Sequence, residues 1–117
     1  MSTIQVGPVT LDLKLYAGDG FSLGFNFVDK ETAEPWPAAG AWAAQVRAPI
    51  TAAEPLLMFT VDLAQQSAGI ISISLTGDQV RELLDVDDAV WDLEQLNAGA
   101  ARTWYRGRIS ATPDVTR

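Results

Sequence analysis

The side chains that most often carry out catalysis and bind transition metals are missing from this sequence. Its 117 residues include no histidine and no cysteine. These two residue types dominate nucleophilic attack, proton transfer near neutral pH and the binding of transition metals. The chemistry left to the chain is that of carboxylates, guanidinium groups and hydroxyls, and we expect no cofactor.

Two carboxylates, Asp92 and Glu94, have a spacing that acid–base catalysis can use. Residues two apart on a strand point to the same face, ~6–7 Å apart along the backbone, and paired carboxylates hydrolyse glycosidic bonds. However, the sequence shows no apolar cleft around them, and we expect Arg106 and Arg108 on the same face of the next strand. A cross-strand ladder of ion pairs is the simpler interpretation. We therefore predict that the chain is not an enzyme and has no catalytic residues.

A second acidic group, formed by Asp85, Asp87 and Asp88, follows a short helical segment. Hard cations such as calcium prefer clustered oxygen ligands. The spacing lacks the glycine and the distal glutamate of an EF-hand loop. A solvated loop is the main interpretation, with a calcium site as the weaker alternative and no metal site predicted.

The most distinctive surface is an alternating series on one predicted strand, formed by Arg102, Trp104, Arg106 and Arg108. Tryptophan and arginine are enriched at interaction hot spots, so this series is a candidate docking surface for another protein. The alternative is that Trp104 lies flat on a neighbouring strand in a cation–π contact with the arginine stems. Trp36, between two prolines, is likewise either a partner-facing residue or a lid over one end of the core.

Apolar and polar residues alternate with a period of two along most of the chain. This pattern predicts strands over residues 9–15, 21–27, 42–47, 57–62, 71–75, 90–96 and 102–111. The glycine-rich turn at 17–20 suggests a hairpin between the first two strands, and residues 97–100 suggest one between the last two. One short helix is predicted near residues 78–84, with Asp78 as its N-cap.

These elements predict an all-β fold with a single domain over residues 1–117. About seven short strands separated by turns are typical of an antiparallel, immunoglobulin-like β-sandwich, and an open barrel is the nearest competitor. A hydrophobic content of 48% with 20% charged residues is typical of one globular domain.

The charge of the chain restricts the classes of partner. A net charge of −7 argues against binding to nucleic acids or anionic membranes, which requires clustered cations. No stretch approaches the ~18 uninterrupted apolar residues of a membrane span. The first residues also lack the basic and apolar regions of a signal peptide. We therefore expect no nucleic-acid partner, no membrane partner and no classical secretion.

Several short segments together resemble a known family. They are Gly18–Phe21, Phe25–Asp29, Ala44–Arg47, Phe59–Asp62, Gly69–Thr76, Val90–Glu94, Gly107–Ser110 and Asp114–Arg117. In this order they resemble the small β-sandwich virion proteins of tailed bacteriophages. The chain is similar to the N-terminal module of baseplate upper proteins and to minor tail or accessory proteins of phages that infect actinobacteria.

This resemblance implies a structural or adaptor role without catalysis, in the virion, after assembly in the host cytoplasm. The implied partners are larger virion proteins at the tail tip or baseplate, with several copies per particle and a homo-oligomer as one option. Capsid decoration or a head–tail accessory role is the first alternative.

Two other classes of function remain open. A carbohydrate- or receptor-binding sandwich would need Trp104, Trp36 and Tyr16 to line one groove. An enzyme that acts through carboxylates alone would need two carboxyl groups facing one cavity, one of them with a raised pKa.

Overall fold

The computed structural model describes residues 8–28, 31–36, 38–48, 55–97 and 100–113. In chain order its strands are β1 (Val9–Thr10), β2 (Leu13–Tyr16), β3 (Phe21–Asn26), β4 (Ala41–Arg47), β5 (Leu57–Met58), β6 (Thr60–Asp62), β7 (Ile70–Leu75), β8 (Val90–Asn97) and β9 (Ala100–Thr112). A 3₁₀ turn covers Gln66–Ala68, and one α-helix, α1, covers Gly77–Arg81.

The strands form two sheets. In the larger sheet, β1 and β2 lie beside β9, which is followed by β8, β4 and β5; in the smaller sheet the order is β3, β7, β6. β1 and β2 run parallel to β9, and the other neighbours are antiparallel. Strands β3, β7 and β6 correspond to B, E and D of an immunoglobulin sandwich, and β4, β8 and β9 correspond to C, F and G. The predicted all-β, immunoglobulin-like sandwich is confirmed.

The core lies between the two sheets and is supplied by alternate residues of the strands. In β4, for example, Trp42, Ala44 and Val46 are buried, as the alternation predicts. The largest fully buried side chains are Trp91, Ile71, Ile73, Leu83, Leu93, Val46 and Val80. Burial of each large apolar side chain contributes about 1.5–3 kcal/mol to stability.

The hairpin predicted around residues 17–20 is wrong. β2 pairs with β9, where Leu13 lies opposite Ile109, and β3 pairs with β7 instead. The Ala17 N–H donates to the carbonyl of Thr112 at 2.8 Å, so the chain stays beside β9 until the turn begins. The turn then carries the chain from one sheet to the other. A glycine-rich turn suits both a hairpin within one sheet and a connection between two sheets. The residues of the turn therefore could not show which of the two forms.

Over the residues that the structure describes, nine strands replace the predicted seven because two predicted strands are divided. The first bends at Leu11–Asp12, between β1 and β2. The segment 57–62 changes sheets at Phe59, whose N–H still donates to Ala44 in the larger sheet at 2.9 Å. The next residue, Thr60, already lies opposite Ser74 in the smaller sheet. The apolar side chains of the 57–62 segment point inward in both sheets. The alternation alone therefore does not show that the segment passes from one sheet to the other.

The predicted helix is present but begins earlier, and its cap is different. Thr76 is the N-cap: its hydroxyl accepts from the Gln79 N–H at 3.2 Å, and the Gln79 side chain accepts from the Thr76 N–H at 2.8 Å. This reciprocal pair is a capping box, which satisfies two donors of the first turn. Asp78 therefore lies inside the first turn, where its charge is favourable. Over the described residues, no helix has the length and apolar character needed to cross a bilayer.

Some predicted features lie outside the described residues. They are the two central residues of the 97–100 turn, most of the loop before Pro55 and the C-terminal segment 114–117. On either side of the 97–100 turn, β8 and β9 pair antiparallel with Asn97 opposite Ala100. The predicted pairing of the last two strands is therefore confirmed.

Candidate functional site

A groove of about 840 Å³ crosses the outer face of the larger sheet. Its floor comes from β4, β8 and β9, and one wall comes from β1 and the bend that follows it. The ionisable side chains that line it are Asp12, Arg47, Asp92, Glu94, Arg106 and Arg108. The groove therefore brings together three carboxylates and three guanidinium groups.

Strand periodicity and register position these side chains. Trp91 and Leu93 point into the core, so Asp92 and Glu94 point outward, as the sequence predicts. Gln45 of β4 lies opposite Asp92 on one side. Arg106 of β9 lies opposite Asp92 on the other side, which places carboxylates and guanidinium groups on one face.

The wall of the groove is held by the bend between β1 and β2. The Asp12 carboxylate accepts a hydrogen bond from the Arg108 N–H at 2.9 Å. The Leu11 N–H donates to the Arg106 carbonyl at 2.8 Å. These bonds bridge the interruption between the two short strands, so the wall follows β9 without a break.

The charge balance of the groove differs from that of the whole chain. The chain has 15 acidic and 8 basic residues, giving a net charge of −7. The groove holds equal numbers of each sign, because Arg47, Arg106 and Arg108 face it together. It is therefore a locally balanced surface on an acidic molecule, of the kind that sets specificity and register between proteins.

The carboxyl group of Asp92 has an altered protonation equilibrium. Its pKa is raised, mainly because partial burial disfavours the charged form and also because the Glu94 carboxylate is nearby. The Arg47 guanidinium opposes this rise. Asp92 therefore holds its proton to a higher pH than an exposed aspartate does. The groove could not be predicted from the sequence, because its wall comes from a segment far away in the chain.

The ion-pair ladder expected between β8 and β9 does not form as predicted. Asp92 and Arg106 are neighbours in register, but no ion pair joins them among the contacts of the described residues. Arg106 is exposed, so its guanidinium group remains in water. The cation that acts on Asp92 is Arg47, from the strand on the opposite side.

The predicted outward series on β9 is divided between two faces. A β-bulge interrupts the register, because Leu93 lies opposite Tyr105 whereas Glu94 lies opposite Thr103. The extra residue, Trp104, changes the alternation. As a result, Arg106 and Arg108 face the outer groove. Arg102 instead lies opposite the buried Gln95, near one end of the sandwich.

At this end, Trp104 is a half-buried member of an aromatic cluster. Its ring centroid lies 5.3 Å from that of Phe27 and 5.6 Å from that of Trp36. Above it, the Arg102 guanidinium carbon lies 3.8 Å from the centroid of the Trp104 ring. Trp104 therefore makes the contact within the domain that the alternative interpretation describes, and Trp36 packs over Phe27.

Gln95 organises the same end and was not singled out from the sequence. Its side chain is 5% exposed, accepts from the Trp104 indole N–H at 2.9 Å and donates to the Ala39 carbonyl at 2.6 Å. A polar residue at the inward position after Trp91 and Leu93 is the signal that could have identified it. Buried polar groups need hydrogen-bond partners, and Gln95 has two.

The three aromatic residues proposed for a carbohydrate site do not come together. Tyr16 lies opposite Thr112, at the other end of β9 from Trp104. At about 3.3 Å per strand residue, this separation is roughly 25 Å. The rings of Trp36 and Trp104 are also tilted by 58° to each other, so they form no flat platform.

The acidic loop after α1 forms no converging site. Asp85, Asp87 and Asp88 are exposed, and no three acidic side chains among the described residues are grouped so that they could hold a metal ion. Asp87 and Asp88 instead line a depression of about 290 Å³ together with Lys14 and Arg108. The loop therefore lies next to cations of the protein itself.

The fold and the groove define a class of protein: an immunoglobulin-like sandwich with a charge-balanced groove on its larger sheet. No protein-family model matches this chain, and no curated protein matches its sequence. The function is therefore inferred from the surfaces of the sandwich and from the sequence segments given above.

Proposed function

We propose that the chain is a non-catalytic structural adaptor of a tailed-phage virion that docks to larger virion proteins through its outer groove. The observation that carries the docking role is the presence of Arg47, Arg106 and Arg108 in one groove of a chain with net charge −7. The location in a virion, at the tail tip or baseplate, is supported by the resemblance of the sequence segments to phage β-sandwich proteins.

The physical properties of the groove suit a protein partner. Its floor consists of paired strands, so the charged groups are held on a rigid surface before binding. Met58, 54% exposed, lies opposite Gln45, and Leu96, 45% exposed, follows Glu94 on the outward phase of β8. Apolar contacts next to a charge-balanced centre give affinity, while the charges select the partner and its orientation.

The test uses particles of the phage that encodes the chain. Mass analysis of purified particles should detect the chain in several copies, in the tail fraction. The double variant Arg106→Glu/Arg108→Glu should reduce its incorporation at least about tenfold, which corresponds to about 1.4 kcal/mol of docking energy. The control variant Arg81→Gln, on α1 and away from the groove, loses only an exposed ion pair with Asp78, which contributes little to stability, and should be incorporated normally.

Each outcome has a distinct meaning. Absence of the wild-type chain from particles would overturn the virion role. Normal incorporation of the double variant would show that docking does not use this groove. Recovery with the heads rather than the tails would replace the tail role by capsid decoration or a head–tail accessory role.

A second candidate function is hydrolysis of glycosidic bonds by Asp92 and Glu94. The observation that favours it is that both carboxyl groups face one groove and that the pKa of Asp92 is raised. In this scheme Asp92 protonates the leaving oxygen, and Glu94 activates a water molecule. A carboxylate separation of about 6.5–9.5 Å is typical of inverting enzymes, and strand spacing places this pair near its lower limit.

This candidate is tested by incubating the purified chain with bacterial cell-wall and capsular polysaccharides. Release of reducing ends that disappears in Asp92→Asn and in Glu94→Gln, while both variants remain folded, would establish the activity. Equal signals from the wild type and both variants would exclude the pair as a catalytic site.

A further inference from the structure

One edge of the smaller sheet has an unusual character. β3 pairs with β7 along all six of its residues, from Phe21 opposite Leu75 to Asn26 opposite Ile70. Among the described residues, no strand pairs with its other side. β3 is therefore an edge strand of regular geometry in this part of the chain.

Over the described residues, this edge lacks the sequence and register features that usually prevent strand addition. Natural edge strands are short, carry charges or proline, or contain a bulge. β3, with the sequence FSLGFN, has no charge and no proline, and its register with β7 contains no irregularity. The other edges are different, since β5 has two residues, β6 has three including Asp62, and the β1–β2 edge is interrupted at Leu11–Asp12.

The hydrogen bonds of β3 show which of its groups face the open edge. The Phe27 N–H donates to the Gly69 carbonyl at 2.8 Å, which continues the register of Phe25 with Ile71. Backbone groups alternate in direction along a strand, so the odd-numbered residues bond to β7. The N–H and C=O groups of Ser22, Gly24 and Asn26 therefore point away from it.

The side chains near this edge are suited to a neighbouring strand. Ser22, Gly24 and Asn26 are exposed on the outer face, and Phe21 and Leu23 on the inner face are only half-buried. A new strand beside β3 would cover this remaining apolar surface. It would also pair the six N–H and C=O groups of Ser22, Gly24 and Asn26, which have no hydrogen-bond partner within the described part of the chain.

The sequence of β3 is complementary to itself in one antiparallel register. Pairing Gly24 with Gly24 of a second copy aligns the outward-pointing groups of both strands and places Ser22 opposite Asn26. The contact is isologous, as a two-fold dimer requires. Each chain carries a charge of −7, but β3 contributes none of it, so no like charges face each other within the paired strands.

We propose that β3 pairs with β3 of a second copy, which forms a two-fold dimer with one continuous six-stranded sheet. This inference is independent of the groove, which lies on the other sheet. It identifies a homodimer interface and a residue, Gly24, on the two-fold axis.

The absence of native cysteine allows a direct test by disulfide cross-linking. A Cβ at Gly24 would lie 3.6 Å from the Ser72 hydroxyl, which is an ordinary contact, so Gly24→Cys should fold normally. Directly opposed residues in a hydrogen-bonded pair have Cα atoms about 5.5 Å apart, a distance that a disulfide spans. Gly24→Cys should therefore become mainly a covalent dimer on mild oxidation.

Four control variants fix the edge and the register. Thr60→Cys, on the opposite edge, and Ser74→Cys, on the central strand, should remain mostly monomeric. Ser22→Cys and Asn26→Cys should each cross-link poorly alone, because identical positions are separated along the strand. A mixture of these two variants should form the heterodimer efficiently.

Sedimentation of the unmodified chain completes the test. We expect the wild-type chain to show a monomer–dimer equilibrium. Ser22→Lys should shift this equilibrium to monomer without loss of secondary structure, and Arg106→Glu/Arg108→Glu should leave it unchanged. A wild-type chain that stays monomeric at millimolar concentration would overturn the proposal. So would cross-linking of Gly24→Cys no faster than that of Thr60→Cys, or dimerisation unaffected by Ser22→Lys.

Discussion

At the scale of single residues, Gly107 determines how the first strand passes the last. The chain bends at Leu11, opposite this glycine, and a Cβ at position 107 would overlap the Leu11 carbonyl oxygen. The same oxygen accepts a hydrogen bond from the buried Trp91 indole at 2.8 Å. Glycine is therefore needed here for space, because the peptide carbonyl occupies the position of a side chain.

We expect Gly107→Ala to destabilise the fold by about 2–6 kcal/mol. Overpacking would move the Leu11 peptide away and leave the Trp91 N–H without its acceptor, and each effect costs about 1–3 kcal/mol. Urea unfolding measures this change. Gly20→Ala is the matched control, since its added methyl has an ordinary contact with the Leu75 carbonyl and lies outside the β3 pairing proposed above, and it should change stability by less than about 1 kcal/mol. Similar losses for both variants would contradict the role assigned to Gly107.

The raised pKa of Asp92 has a consequence for stability against pH. Between the unfolded pKa and the higher folded pKa, the folded chain binds more protons, so stability contributed by this group falls as pH rises. Asp92→Asn removes the buried charge and should be at least as stable as the wild type at neutral pH. Its relative advantage should decrease on acidification and vanish below the unfolded pKa of about 3.9.

Nuclear magnetic resonance titration of the Asp92 carboxyl carbon tests the causes of the shift. Glu94→Gln should lower the pKa of Asp92 by removing a like charge, and Arg47→Gln should raise it by removing the opposing cation. Asp62→Asn, on the other sheet, should leave it unchanged. Shifts of the opposite sign would refute this account of the groove.

At the scale of elements, the start of α1 depends on the side chain of Thr76. Its hydroxyl caps the helix by accepting a hydrogen bond from the backbone N–H of Gln79. Thr76→Ala should cost about 1 kcal/mol, because it removes the acceptor for the Gln79 N–H and half of the capping box. Thr76→Ser keeps the hydroxyl and should retain most of the stability. Thermal unfolding of the three proteins distinguishes a capping role from simple loss of the threonine methyl group, for which both variants would be equally destabilised.

The strands could be predicted from the sequence more reliably than their partners. Alternation in β4 and β8 gave the correct inward residues, because the side-chain period of a strand is local. It gave the wrong partner for the first strand, because pairing with β9 is decided by packing across the whole chain. It also failed at Trp104, where the bulge shifts the phase without leaving a mark in the pattern of β9 itself.

The candidate site shows the same division between local and distant causes. The outward direction of Asp92 and Glu94 followed from their positions between Trp91 and Leu93. The groove around them did not, since it needs Arg47 from β4 and Asp12 from the bend after β1. The pKa of Asp92 likewise responds to Arg47, which is distant in the sequence and which no short window around Asp92 contains.

At the scale of the whole molecule, the fold is closed by its two ends. Leu13 lies opposite Ile109, so the first strand of the core is completed only when nearly the entire chain has been placed. The Trp91 indole of β8 donates a hydrogen bond to the Leu11 carbonyl, and the backbone N–H of Arg108 in β9 donates one to the Asp12 carboxylate. Both bonds tie the bend between β1 and β2 to the larger sheet. The groove and the core therefore share the contacts that hold the N-terminal strands in place.

This topology predicts slow and cooperative folding. Long-range pairing must overcome loop-closure entropy first, so refolding should take milliseconds to seconds, plus a minor slower phase from the six prolines. Phe27 is surrounded by three of the tryptophans, Trp36, Trp42 and Trp104, whereas Trp91 contacts Leu11. The fluorescence of a Trp91→Phe variant therefore reports mainly on the end of the sandwich around Phe27. The fluorescence of a Trp104→Phe variant includes the signal of Trp91, next to Leu11. Each variant should show one midpoint that coincides with its far-ultraviolet circular dichroism. Separate midpoints within one variant would mean that the aromatic end unfolds independently of the strands that close the fold.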